Sequence, residues 1–193
     1  MESQTNKISN KQIDKLVIES RFPMNSMSII IPYSYISKVV NLNWYDIKFA
    51  INNGFMYHQS AIEHAMVELE NDDSQNVLDL ACLSLEETTY PHSIHPYVDE
   101  LANKTEDQDQ NKTKEKFLYV LLNWVFENKE CYEDPLRVVE LIYEDFNFPK
   151  SIVNFVRYML TTQPILATME ENIKRLFDNW KNFLDAQKIK YSA

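Results

Sequence analysis

The run Phe117-Leu-Tyr-Val-Leu-Leu-Asn-Trp-Val-Phe126 decides the fold. At helical spacing, Phe117, Leu121 and Val125 form one row. Leu118, Leu122 and Phe126 form a second, and Val120 and Trp124 a third. Only Tyr119, Asn123 and Glu127 make a polar row. A helix that is apolar around most of its circumference must be wrapped by other elements, because leaving each large side chain in water forgoes roughly 2 kcal/mol. The sequence therefore predicts an all-α fold, an irregular multi-helix bundle of short helices around a central apolar helix at about 114–128.

Working outward, composition supports helices. The chain of 193 residues contains Gly 1, so turns with positive φ, and the tight hairpins built on them, are scarce. That one glycine follows Asn52-Asn53, where a helix end favours a left-handed residue. Helix starts can be read directly. Asn43 with Asp46, Ser60 with Glu63, and Thr168 with Glu171 have capping-box spacing, and Asp134-Pro135 is an N-cap followed by proline at the first helical position. Ile62, Ala65, Met66 and Leu69 are expected to face inward, leaving His64 toward solvent. Pro149 opens a further helix through Ile152 and Leu160. The regular stripe Ile173, Leu176, Phe177, Trp180, Phe183 and Leu184 marks the last helix, which is expected to fray after Lys188. The domain reading is a polar leader over 1–26, loosely attached, then a single helical domain over 27–190 with a mobile polar loop at 103–113.

Net charge is -10, which argues against nucleic acid as the main partner, since phosphate binding depends on Lys and Arg. It argues equally against an anionic membrane surface, and no apolar run is long enough to span one. Cys82 and Cys131 lack metal-site spacing and suit a reducing compartment, so a cytoplasmic protein is expected. With so little glycine, no phosphate-cradling loop can form, and no nucleophile sits in a recognisable catalytic motif. No cofactor is expected.

Two constellations remain. Between Lys48 and Lys104 there is no Lys or Arg, while carboxylates accumulate. Glu63, Glu68, Glu70, Asp72, Asp73, Glu86 and Glu87 are expected to form one acidic surface, which would draw in a basic protein partner. The other constellation is His92 and His95, with Asp99 one turn on, which could serve metal or acid-base chemistry. Pro91 and Pro96 bracket that pair and place it on a loop or a single turn.

The runs Ile31-Pro-Tyr-Ser-Tyr-Ile-Ser-Lys38 and Asn43-Trp-Tyr-Asp-Ile-Lys-Phe-Ala50 carry a resemblance. With Leu122-Asn-Trp-Val-Phe-Glu-Asn-Lys129 and Asp134-Pro-Leu-Arg-Val-Val139, they resemble a family of small bacterial proteins classed as a domain of unknown function. The resemblance implies a bacterial, cytosolic protein and transfers no catalytic residue. The functional expectation is a non-catalytic interaction protein, such as an immunity or inhibitor protein, that binds a basic partner through its acidic face. The alternative is a hydrolase-type enzyme using the His92/His95 region.

Overall fold

A computed structural model describes residues 25–72, 74–83, 91–160 and 163–191, and within these the side chains of residues 91 and 92 are excepted. Among the described residues the fold is all-α. The α-helices are α1 (Tyr33–Val39), α2 (Trp44–Asn52), α3 (Gln59–Glu68), α4 (Gln75–Ala81), α5 (Pro91–Lys104), α6 (Gln110–Glu127), α7 (Pro135–Asp145) and α8 (Met169–Tyr191). Short 3-10 segments lie at Lys129–Cys131 and Lys150–Phe155. The expected leader lies almost wholly outside the described residues. Its last two residues, Asn25 and Ser26, are held in place: the Asn25 amide donates to the Gly54 carbonyl at 3.0 Å, and Ser26 Oγ donates to Asp145 at 2.9 Å.

The central helix is α6. Phe117, Leu118, Val120, Leu121, Leu122 and Val125 are all buried. On one side α6 meets α2, which packs on α5; on the other it meets α7 and α8. A single hydrophobic cluster runs from Ile29 to Leu184. Aromatic rings carry it across the helix joints. Phe55 stacks between Phe117 and Phe146 at centroid distances of 6.1 and 5.9 Å, and Trp180 lies between Phe155 and Phe126. The polar row of α6 is engaged as well, although Glu127 remains exposed. Tyr119 is buried against Tyr191, while Asn123 and Glu127 engage the Tyr35 hydroxyl of α1 at 2.7 and 2.8 Å.

Local signals fix four of the helix ends. The Asn43/Asp46 capping box is present in both directions, at 2.9 and 3.1 Å, as is the Thr168/Glu171 box at 3.1 Å. Asp134 accepts from Arg137 N with Pro135 in the first turn. Gly54 has φ 68, the conformation that the end of α2 requires.

Other expectations are corrected. Ser60 and Glu63 do not cap α3, because His58 precedes the helix in an already helical conformation and Ser60 is buried within the first turn. The inward face of α3 is also rotated. Ala61, Ile62, His64 and Ala65 are buried, while Met66 is 62% exposed and Leu69 lies on the surface. His64 turns inward because the Tyr33 hydroxyl lies 3.1 Å from its Nδ1 and the Trp44 ring meets its own at 4.6 Å. Pro91 and Pro96 do not keep the histidine pair in a loop, since α5 runs through both prolines. The polar stretch at 103–113 is shorter as a loop than expected. Helix α5 continues to Lys104, Asp109 caps α6 at Asn111 and Lys112, and Thr113 is buried with its hydroxyl 2.8 Å from Asp46. Pro149 opens a 3-10 segment that ends at Phe155, leaving Leu160 outside it. The C-terminal turn does not fray before Tyr191: Tyr191 stacks on Tyr119, and Lys190 pairs with Glu115 at 2.9 Å.

Candidate functional site

The acidic section is organised by α3 and the turn that follows it. Helix α3 packs on α1 and α4, so its outer face looks away from the core. Glu63 and Glu70 are exposed, and Glu68 and Asp72 are half-buried. Backbone bonds from Asn71 N and Asp72 N to the Glu68 carbonyl, both 2.8 Å, wind the turn tightly, and Asp72 accepts from Ser74 N at 2.8 Å to close it. Asp72 is therefore partly committed to the turn. Asp73, Glu86 and Glu87 lie outside the described residues.

Partial burial pushes the Glu63 and Glu68 carboxyls above the usual range, and Asp72 adds to the effect at Glu68. The Tyr33 hydroxyl behind them is raised in turn, by burial first and then by the charges of Glu68 and Glu63. Among the described residues, none of Glu63, Glu68 and Glu70 forms an ion pair. Several carboxylates elsewhere are neutralised within the chain. Asp46 is held by Lys116, Asp99 by Lys48 at 2.9 Å, and Glu140 by Arg157 at 2.8 Å and Arg137 at 3.1 Å. Glu63, Glu68 and Glu70 thus bring unpaired charge to α3 and the turn after it.

Apolar side chains share that surface. Met66 and Val67 on α3, Leu69 at its C-terminal cap, and Leu78 on α4 are exposed large hydrophobic residues. Sequence periodicity assigned Met66 and Leu69 to the core and so missed this feature. The signal was present in Ala65-Met-Val-Glu-Leu69, an apolar run too wide for one face of a helix.

The histidine region has a different character. His95 is half-buried and its ring meets that of His58 edge-on at 5.3 Å. His58 is buried, and this burial, followed by the neighbouring His95, lowers its pKa to about 4. Nothing in the sequence pointed to His58, because the contact joins the residue before α3 to the middle of α5. His92 is placed by its backbone on α5, one turn before His95, and its side chain lies outside the described residues. Asp99 is taken by Lys48. Among the described residues no group of three or more His, Cys, Asp or Glu side chains is placed to hold a metal ion. His64 is sealed at 2% exposure, with a pKa lowered to about 4 by burial, so no substrate reaches its ring.

Among the described residues, no helix is long and apolar enough to cross a membrane. What the fold defines is an all-α protein in which unpaired carboxylates and exposed apolar side chains lie together on α3 and the turn after it. The chain belongs to the family described as "Uncharacterized protein conserved in bacteria (DUF2247)", which matches residues 33–188. No curated protein and no solved structure matches it.

Proposed function

We propose that this protein is a non-catalytic, cytosolic interaction protein of the immunity or inhibitor type, and that it binds a basic protein partner through α3 and the turn after it. The observation that carries this reading is the set of unpaired carboxylates of Glu63, Glu68 and Glu70 around exposed Met66, Val67 and Leu69. Apolar contact at the centre with charge at the rim is the usual anatomy of a protein interface. Negative charge without internal partners speeds encounter with a cationic surface and selects against acidic ones. Cys82 and Cys131 are free and exposed, which fits a reducing compartment.

The competing reading, a hydrolase built on His92 and His95, gains the contact with His58 but loses Asp99 to Lys48.

The test uses the protein encoded next to this chain, if basic, as the binding probe. Its association rate should fall steeply with salt, because exposed charges are screened beyond about 8 Å at physiological ionic strength. Glu63→Lys with Glu70→Lys should slow association at least tenfold, and Met66→Asp should speed dissociation. Binding that ignored salt and all three changes would refute the α3 face. Turnover lost in His95→Ala alone would favour the enzyme.

A further inference from the structure

A second surface lies away from α3, where the chain runs from the 3-10 segment into α8. Leu160 is 94% exposed, Ile165 84% and Met169 72%, and Ile173 is partly exposed one turn further on. These side chains are not outside because the backbone is free to hold them there. The loop before α8 is bracketed by polar contacts. Asn172 accepts from Leu166 N at 3.1 Å and donates to the carbonyls of Leu166 and Thr168 at 3.1 and 2.6 Å. The Arg175 guanidinium donates to the Pro164 carbonyl and to Asn172. The Thr168/Glu171 box fixes the start of the helix. So many bonds on one short loop prevent Ile165 and Met169 from folding back onto the core. The apolar ridge is therefore a built feature, of the kind that marks an interaction surface.

Charge identifies the occupant. Met169 and Ile173 are four residues apart and form one row on α8. Glu170 and Lys174 form the adjacent row. Two other oppositely charged pairs at that spacing close on each other, Glu100 with Lys104 at 2.7 Å and Lys181 with Asp185 at 3.1 Å, whereas Glu171 and Arg175 do not. Glu170 and Lys174 make no such pair among the described residues. When two copies of α8 lie antiparallel, matching flank rows face each other. Glu170 of one copy then meets Lys174 of the other, twice, while Met169 and Ile173 meet across the axis. The surface is complementary to itself.

We infer that the ridge formed by Ile165, Met169 and Ile173 is a two-fold interface with a second copy of this chain, closed by reciprocal Glu170–Lys174 ion pairs. This interface is isologous, so it closes at a dimer. Its apolar part is smaller than the roughly 800 Å² per partner of a standard stable interface, so association is weak and depends on concentration. The acidic α3 face would meet its own like charge in such a pairing and takes no part in it.

The experiment is sedimentation equilibrium of the whole chain over a broad concentration range, with helicity and melting temperature recorded for each variant. The native protein should show a reversible monomer–dimer equilibrium. Ile165→Asp, which lies outside any helix, and Met169→Asp should each weaken dimerisation more than tenfold. Glu170→Lys should weaken it, Lys174→Glu should weaken it, and the double variant should recover most of the native affinity, because the swap restores opposite charges across the axis. Glu63→Lys should leave the equilibrium unchanged. A native protein that stays monomeric up to its solubility limit overturns the inference. So does a dimer indifferent to Ile165→Asp and Met169→Asp, or a double charge swap no better than its singles. Failure here leaves the α3 reading untouched, since the two surfaces share no residue.

Discussion

The buried imidazole of His64 should couple folding to pH. Its Nδ1 is 3.1 Å from the Tyr33 hydroxyl, its ring packs on Trp44, and its Nε2 is buried without a hydrogen-bond partner. No carboxylate is within hydrogen-bond reach of the ring to stabilise a proton there, and burial lowers the pKa to about 4. Protons therefore bind the unfolded chain more readily than the folded one between the unfolded value of about 6.5 and the folded value, so stability is fully present above the upper limit and is lost as pH falls through the window. Relative to neutral pH, His64 alone should remove on the order of 2.5 kcal/mol at about pH 4.5, given a lowering from 6.5 to about 4 at 1.36 kcal/mol per pH unit. His64→Phe fills nearly the same volume and cannot titrate. It leaves the Tyr33 hydroxyl without its partner, a loss of about 1–3 kcal/mol that persists at every pH. Urea denaturation of both proteins from pH 7 to pH 4.5 should then show the variant less stable at neutral pH but with a shallower loss on acidification. Equal slopes would refute the assignment and leave His58, also lowered to about 4, as the linked group.

Three further outcomes follow from buried charge and backbone geometry. Asp46 is almost fully buried and is held by Lys116 and by the Thr113 hydroxyl, so Lys116→Ala should cost about 3–5 kcal/mol in denaturant unfolding, with part recovered by adding Asp46→Asn. The Arg157 guanidinium grips the buried Glu140 carboxylate and reaches Asp134, holding the Glu140 carboxyl below its usual range; Arg157→Ala should destabilise by about 2–3 kcal/mol, measurably more than Lys181→Ala on the surface of α8. Gly54 at φ 68 should tolerate alanine poorly, with a loss of roughly 1–2 kcal/mol in thermal or chemical unfolding.

How far the sequence reaches depends on the range of the interaction. The central role of Phe117 to Phe126, the Asn43/Asp46 and Thr168/Glu171 boxes, the Asp134 cap and the turn at Gly54 were legible because each is decided within one or two helical turns. Sterics and capping act over that distance whatever the rest of the chain does. The family resemblance was legible for a related reason: it is carried by short contiguous runs in α1, α2, α6 and α7. The excess of acid between Lys48 and Lys104 could also be read, because charge needs no fold to be counted.

What the tertiary structure decided is which face of each helix is buried. On α3 the apolar residues are spread too widely to define one stripe, and the choice fell to partners distant in sequence: Tyr33 and Trp44 drew His64 inward and turned Met66 out. The same applies to Thr113, a polar residue in a polar run, which is buried because Asp46 lies across from it. His58 meets His95 only because α3 and α5 both pack on α4. Ile165 and Met169 are apolar, yet they face water beside a loop held by Asn172 and Arg175. Local pattern fixes a helix end where a cap or a left-handed residue is present; contacts between helices fix its rotation, and with it every surface through which the protein can act.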